Sequence, residues 1–91
     1  MEIKLKTVGK GAGLVEVTLG ELTIWFSYAE PIAYHHYRTG YVMRENDWGS
    51  TTGRHLNSIH PHKASDRIPG DEFMDQLGAI LGSMTKPERA T

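Results

Sequence analysis

The stretch Leu14-Val15-Glu16-Val17-Thr18-Leu19-Gly20-Glu21-Leu22-Thr23-Ile24-Trp25-Phe26-Ser27-Tyr28 decides how this chain folds. Val15, Val17 and Leu19 alternate with Glu16 and Thr18, the period-two pattern of a half-buried strand. Gly20-Glu21 is a short connection. Leu22, Ile24, Phe26 and Tyr28 then line one face of the next strand, with Thr23, Trp25 and Ser27 on the other. Two such strands joined by so short a link predict an antiparallel pair.

The pattern extends in both directions. Upstream, Ile3 and Leu5 alternate with Lys4 and Lys6, and the glycine-rich residues 9 to 13 read as a turn. Downstream, Glu30-Pro31 predicts a break. Ile32 to Tyr37 resumes a strand, Arg38-Thr39-Gly40 forms a hairpin loop, and Tyr41 to Glu45 returns. The expectation is an antiparallel β-meander of four to five strands.

After Asp47 the period changes. Ser50 is the expected N-cap of a short helix. Thr52, His55, Leu56 and Ile59 fall at helical spacing on one face, and Pro61 ends the run. Residues 60 to 68 read as a loop. Pro69-Gly70-Asp71 opens a second helix with Asp71 as cap and Glu72 and Asp75 in its first turn. Phe73, Met74, Leu77, Ile80, Leu81 and Met84 form its apolar stripe, expected to be buried against the sheet or a second subunit. The fold class is therefore α+β: a meander, a short helix, and a C-terminal amphipathic helix packed on one face of the sheet. Residues 1–84 form a single domain and 85–91 a flexible tail.

Composition bounds the function. At 91 residues the chain has a thin stability margin. It has no cysteine, which excludes disulfides and thiolate metal sites. Met1-Glu2-Ile3-Lys4 opens without the apolar run of a secretion signal, and no leader, membrane span or membrane partner is expected. The net charge of −1 gives no general attraction for polyanions. Residues 32 to 68 are nevertheless mildly basic, with Arg38, Arg44, Arg54, Lys63 and Arg67 against Glu45, Asp47 and Asp66.

The densest cluster of hydrogen-bonding side chains is Trp48-Gly49-Ser50-Thr51-Thr52-Gly53-Arg54-His55-Leu56-Asn57. Helical phasing divides it. Thr51, Arg54 and Ser58 share an outward face, while His55 travels with Leu56 and Ile59 toward the sheet. On the functional reading, Trp48, Ser50, Thr51, Arg54 and Asn57 form a binding surface, joined by Tyr37, Arg38 and Arg44. On the structural reading, Ser50 and Thr51 cap the helix, Thr52 and His55 hydrogen-bond to the sheet, and Trp48 plugs the core edge. Gly53 inside a helix costs on the order of 1 kcal/mol against Ala, which suggests a close neighbour there.

Trp25, Tyr34, Tyr37 and Tyr41, beside Arg38 and Arg44, offer a stacking surface for single-stranded nucleic acid. His60 and His62 could point one way on an extended segment, with His55 or Asp66 as a third metal ligand, but no fixed ligand spacing recurs and no metal is assigned. No cofactor is expected. No nucleophile elbow, phosphate loop or paired-carboxylate spacing is present, and an enzyme is not expected.

Phe26-Ser27-Tyr28, then Ile32-Ala33, then Asn46-Asp47-Trp48-Gly49-Ser50-Thr51-Thr52-Gly53-Arg54-His55-Leu56-Asn57, resembles a family of small uncharacterised bacteriophage and mobile-element proteins. Their pattern is F-S-Y, an apolar pair, and N-x-W-S-x-T-T-G-K-H-L-N. The resemblance covers roughly residues 22 to 60 and departs at Gly49 and at Arg54, where Lys is usual. It carries over no catalytic residue. It implies an accessory role in the cytoplasm of an infected bacterium. The function expected is binding to a host or phage macromolecule, in the concrete form of inhibiting a defence or replication factor. The alternatives are a nucleic-acid-binding accessory protein using Arg38, Arg44 and Arg54, and a small metal-dependent or nucleotide-acting enzyme. A homodimer is expected from the wide apolar stripe on a thin core.

Overall fold

The computed structural model describes residues 3–7 and 13–85. Five antiparallel strands run in sequence order: β1 (Ile3–Thr7), β2 (Leu14–Leu19), β3 (Leu22–Ser27), β4 (Glu30–His36) and β5 (Gly40–Met43). Helix α1 (Ser50–Ile59), a 3-10 turn at Ala64–Asp66 and helix α2 (Gly70–Thr85) follow. The architecture is the α+β meander with a C-terminal helix that the alternation predicts. The turn expected over residues 9 to 13 lies mostly outside the described residues; of the tail expected over 85–91, Thr85 ends α2 and 86–91 lie outside them.

The sheet is covered on both faces, not on one. Leu14, Trp25, Ile32, Ala33 and Met43 pack beneath Leu56 of α1. Leu22, Ile24 and Tyr34, on the other face, pack beneath Phe73 and Leu77 of α2. The alternation in β3 makes this possible: Leu22 and Ile24 serve one helix while Trp25 and Ser27 serve the other. Of the aromatics expected on an open face, Tyr34 is wholly buried and Trp25 nearly so.

The chain turns earlier than the Glu30-Pro31 pair suggests. The reversal falls at Tyr28-Ala29, and Pro31 sits within β4 opposite Phe26, beside a register shift. There Trp25 pairs with Ala33 while Phe26 pairs with Pro31, so Ile32 is an extra residue in β4. A β-bulge interrupts the ladder where Pro31 has no N–H to give, and so accommodates the proline. It also lets Ile32 and Ala33 enter one cluster. Tyr28 adopts φ +58 in the turn, a left-handed conformation that a bulky side chain takes only when its surroundings hold it there. Its N–H donates to the Gly13 carbonyl. Its ring lies so close to Gly13 that a Cβ at that position would stand 2.6 Å from a ring carbon.

Both helix starts differ from expectation. Gly49 is the N-cap of α1, with no side-chain cap bond, and Ser50 is the first helical residue. Asn46 organises the approach instead: its Nδ2 donates to the Gly49 carbonyl and its Oδ1 accepts from the Trp48 N–H. A Cβ at Gly53 would stand 3.2 Å from that same amide nitrogen, which is the close neighbour the helical glycine implies. In α2 the helix begins at Gly70, so Asp71 lies in the first turn and accepts from the Glu72 N–H. Along the α2 stripe, Phe73 and Leu77 are buried and Ile80, Leu81 and Met84 half-buried, but Met74 is 43% exposed. Met74 follows Phe73 by about 100° of helical rotation, which takes it off the buried line.

Leu77→Ala is expected to cost about 2–5 kcal/mol in urea unfolding, as for a core leucine; a loss well under that range would show α2 only loosely seated. A second expectation concerns Tyr34, whose hydroxyl donates to Gln76 Oε1 at 2.9 Å. Burial pushes the Tyr34 phenol above its ordinary pKa, with a smaller opposing effect of the Thr39 side chain. The folded state therefore holds the phenolic proton more tightly than the unfolded chain does. That contribution is complete below the unfolded value of about 10 and is lost as pH rises through the higher folded value. Alkaline unfolding should be less steep for Tyr34→Phe than for wild type, and identical curves would remove the assignment.

Candidate functional site

Two residues of the dense cluster over 48–57, Thr52 and His55, meet at one buried contact. Ser27 reaches from β3 toward α1, where its Oγ lies 3.0 Å from Thr52 Oγ1 and 2.8 Å from His55 Nδ1. Ser27 and Thr52 are buried, and His55 is half-buried with its ring 6.0 Å from that of Tyr28. The Ser27 hydroxyl carries one proton and two lone pairs, enough to satisfy both neighbours at once. Ser27 and Tyr28 of the F-S-Y triplet thus meet Thr52 and His55 of the helix motif. A serine 2.8 Å from a histidine is also the beginning of a nucleophile arrangement. Here the hydroxyl is only 3% exposed, with Thr52 on it as well, and serves as a tie.

The outward half of α1 is different. Ser50, Thr51, Arg54, Asn57 and Ser58 are exposed. Trp48, on the approach to the helix, is 43% exposed and does not plug the core. The Arg44 guanidinium stacks over it at 4.7 Å. Arg44 itself is half-buried: it lies 5.9 Å from the Phe73 ring centre, and its Nη1 donates to the Pro31 carbonyl at 3.3 Å. A Cβ at Gly70 would stand 2.7 Å from Nη2, so a larger residue there would push the guanidinium aside. Arg44 is a wedge between elements more than a surface cation. Asn57 is also engaged, since its Oδ1 accepts from Arg67 at 3.0 Å.

The remaining sequence candidates lie elsewhere. Tyr37 and Arg38 occupy the β4–β5 turn, at the other end of β5 from Arg44. Arg38 Nε donates to the Tyr37 hydroxyl, and the guanidinium carbon lies 5.4 Å from that ring centre. The eight proposed binding residues therefore form two regions, one around α1 and one around the β4–β5 turn. The turn borders a cleft of about 340 Å³ between the β2–β3 and β4–β5 turns and the C-terminal half of α2. Of its lining, the sequence candidates supply Tyr37 and Arg38, and the rest comes from separated segments.

The strand aromatics do not present a free row of ring faces. Tyr41 stacks on Trp25 at 5.8 Å and on His60 at 3.9 Å with 7° between planes, and packs at 4.7 Å against His35. Trp25 Nε1 donates to Glu16. His60 and His62 have separate engagements. Arg67 Nε donates to His62 Nε2, which therefore carries no proton, so His62 Nδ1 donates to the His60 carbonyl. Among the described residues no group of three or more His, Asp or Glu side chains is placed to hold a metal ion. Among them, too, no helix is long and apolar enough to cross a membrane.

Ser27→Ala should destabilise the domain by about 1–3 kcal/mol, the cost of leaving buried Thr52 and its neighbour unsatisfied. Wild-type stability in the variant, measured by chemical unfolding, would show that the contact does not hold α1 to the sheet.

No curated protein and no solved structure matches the chain. A family model, described as a family of unknown function (DUF8033), matches residues 3–75. That span takes in all five strands, the Ser27–Thr52–His55 contact, Trp48, Arg54 and the first turn of α2, and the chain belongs to this family.

Proposed function

We propose that this is a non-enzymatic binding protein whose working surface is Trp48 with the outward face of α1. One observation carries the reading. The helix motif is split by its own periodicity, with Thr52, His55 and Leu56 committed to the sheet and Thr51, Arg54 and Ser58 turned to solvent. A short helix tied down on one side is a rigid platform for the other. Side chains held on rigid elements lose little entropy on binding. Trp and Arg are the residues most often dominant at protein interfaces, and the guanidinium of Arg54 can grip a carboxylate with two parallel hydrogen bonds.

The partner on this reading is a protein of the host or of the phage. The resemblance of the F-S-Y and W-G-S-T-T-G-R-H-L-N segments to phage and mobile-element proteins supports an accessory role in the bacterial cytoplasm, such as inhibition of a defence or replication factor. The nucleic-acid alternative has less support: Tyr34 is in the core and Tyr41 is already stacked on Trp25 and His60.

A photo-crosslinking residue at position 51, expressed in the host, should trap a discrete protein. Arg54→Ala should weaken that capture by about 2 kcal/mol, roughly thirtyfold in affinity. Its folding stability should stay within about 0.5 kcal/mol of wild type, as for an exposed residue. His55→Ala should do the reverse at the level of the fold, losing stability first. Crosslinks to nucleic acid, or none that depend on Arg54, would overturn the reading.

A further inference from the structure

The geometry points to a second site: the cleft beside the β4–β5 turn binds a compact monoanionic carboxylate with an apolar body. This site is independent of the α1 surface. Its tautomer chemistry is fixed by the backbone. The Arg38 N–H donates to His36 Nδ1 at 3.2 Å, so that nitrogen carries no proton and the neutral ring bears its hydrogen on Nε2. His36 is 5% exposed and lines the cleft. Its Nε2–H makes no hydrogen bond among the described residues and is not one of the buried polar atoms left without a partner, so it stays open to solvent and to a ligand at the cleft wall. A ligand oxygen there would accept a hydrogen bond that water otherwise takes.

Arg38 adds charge to the same wall. Its Nε is held by the Tyr37 hydroxyl, which fixes the guanidinium plane, and its terminal nitrogens have no protein acceptor among the described residues. A fixed guanidinium matches the two oxygens of a carboxylate. Thr39 contributes a hydroxyl to the lining, while Ile80 and Met84 of α2 contribute apolar surface. Glu21 is the one acidic group in the lining, exposed on the β2–β3 turn. With one full cation, a neutral imidazole and one nearby carboxylate, the cleft favours a single negative charge over a phosphate dianion. Its 340 Å³ is at the low end of ligand pockets, which suits a compact molecule and not a polymer.

The test titrates the full chain with hexanoate, hexanamide and hexyl phosphate, followed by NMR of the Ile80 and Met84 methyl groups and the Arg38 Nε–H. Hexanoate should give saturable shifts at all three positions, and hexanamide none. Arg38→Gln, at an exposed position, should raise the hexanoate dissociation constant about tenfold, the loss of a charge-assisted contact. Glu21→Gln should lower it. The proposal fails if hexanoate gives no saturable shift at millimolar concentration, or if hexanamide binds as well. It fails equally if hexyl phosphate binds more tightly or if Glu21→Gln weakens hexanoate.

Discussion

The buried Ser27 hydroxyl faces a surface otherwise made of Leu14, Trp25, Ala33 and Met43, and it cannot be left without partners. That requirement selects what covers it. Leu56 supplies the apolar cover of α1, but Leu56 alone would leave the helix free to slide or rotate along the sheet. Thr52 and His55, one turn apart, meet the same oxygen and fix both register and rotation. Tyr28 then closes over His55 from a backbone conformation that costs energy, held by Gly13. The division of α1 into a committed and a free face follows from this one contact. A helix of this length has little intrinsic stability in water, so its position is set by tertiary contacts.

Much of the fold was legible because it rests on periodicity. A meander of four to five strands, two helices and the inward turn of His55 follow from period two and period 3.6, which report burial directly. The reversal at Tyr28-Ala29 was not legible, because a proline in the fourth strand looks like a terminator until the bulge beside it is known. The N-cap of α1 was misplaced by one residue for a similar reason: the expected cap, Ser50, has a capping side chain, but Asn46 performs the organising role from four positions upstream.

The cover on the second face goes beyond the expected single helix-packed face. The Thr52 hydroxyl and the His55 imidazole make α1 a good lid for a sheet face that bears Ser27. The signal was present in β3, where Trp25 and Ser27 share one face: a polar residue beside a large aromatic implies polar company opposite. The candidate site was legible only in part. Arg54 and Thr51 are exposed, as phasing implies, but sequence proximity joined them to Tyr37 and Arg38, which β5 separates. The cleft had no contiguous signature at all.

Arg44 brings a different consequence. It follows the last strand, stacks on Trp48 at the approach to α1, borders Phe73 and Gly70 at the start of α2, and donates to Pro31 in the sheet. The two helices occupy opposite faces of the sheet, and β3 packs under both. Arg44 thus adds a polar link between layers that the shared sheet already joins. In a domain this small, such coupling makes the opening of α1 and the opening of α2 parts of one cooperative event, so amide protons in both helices exchange with solvent at a common rate-limiting free energy.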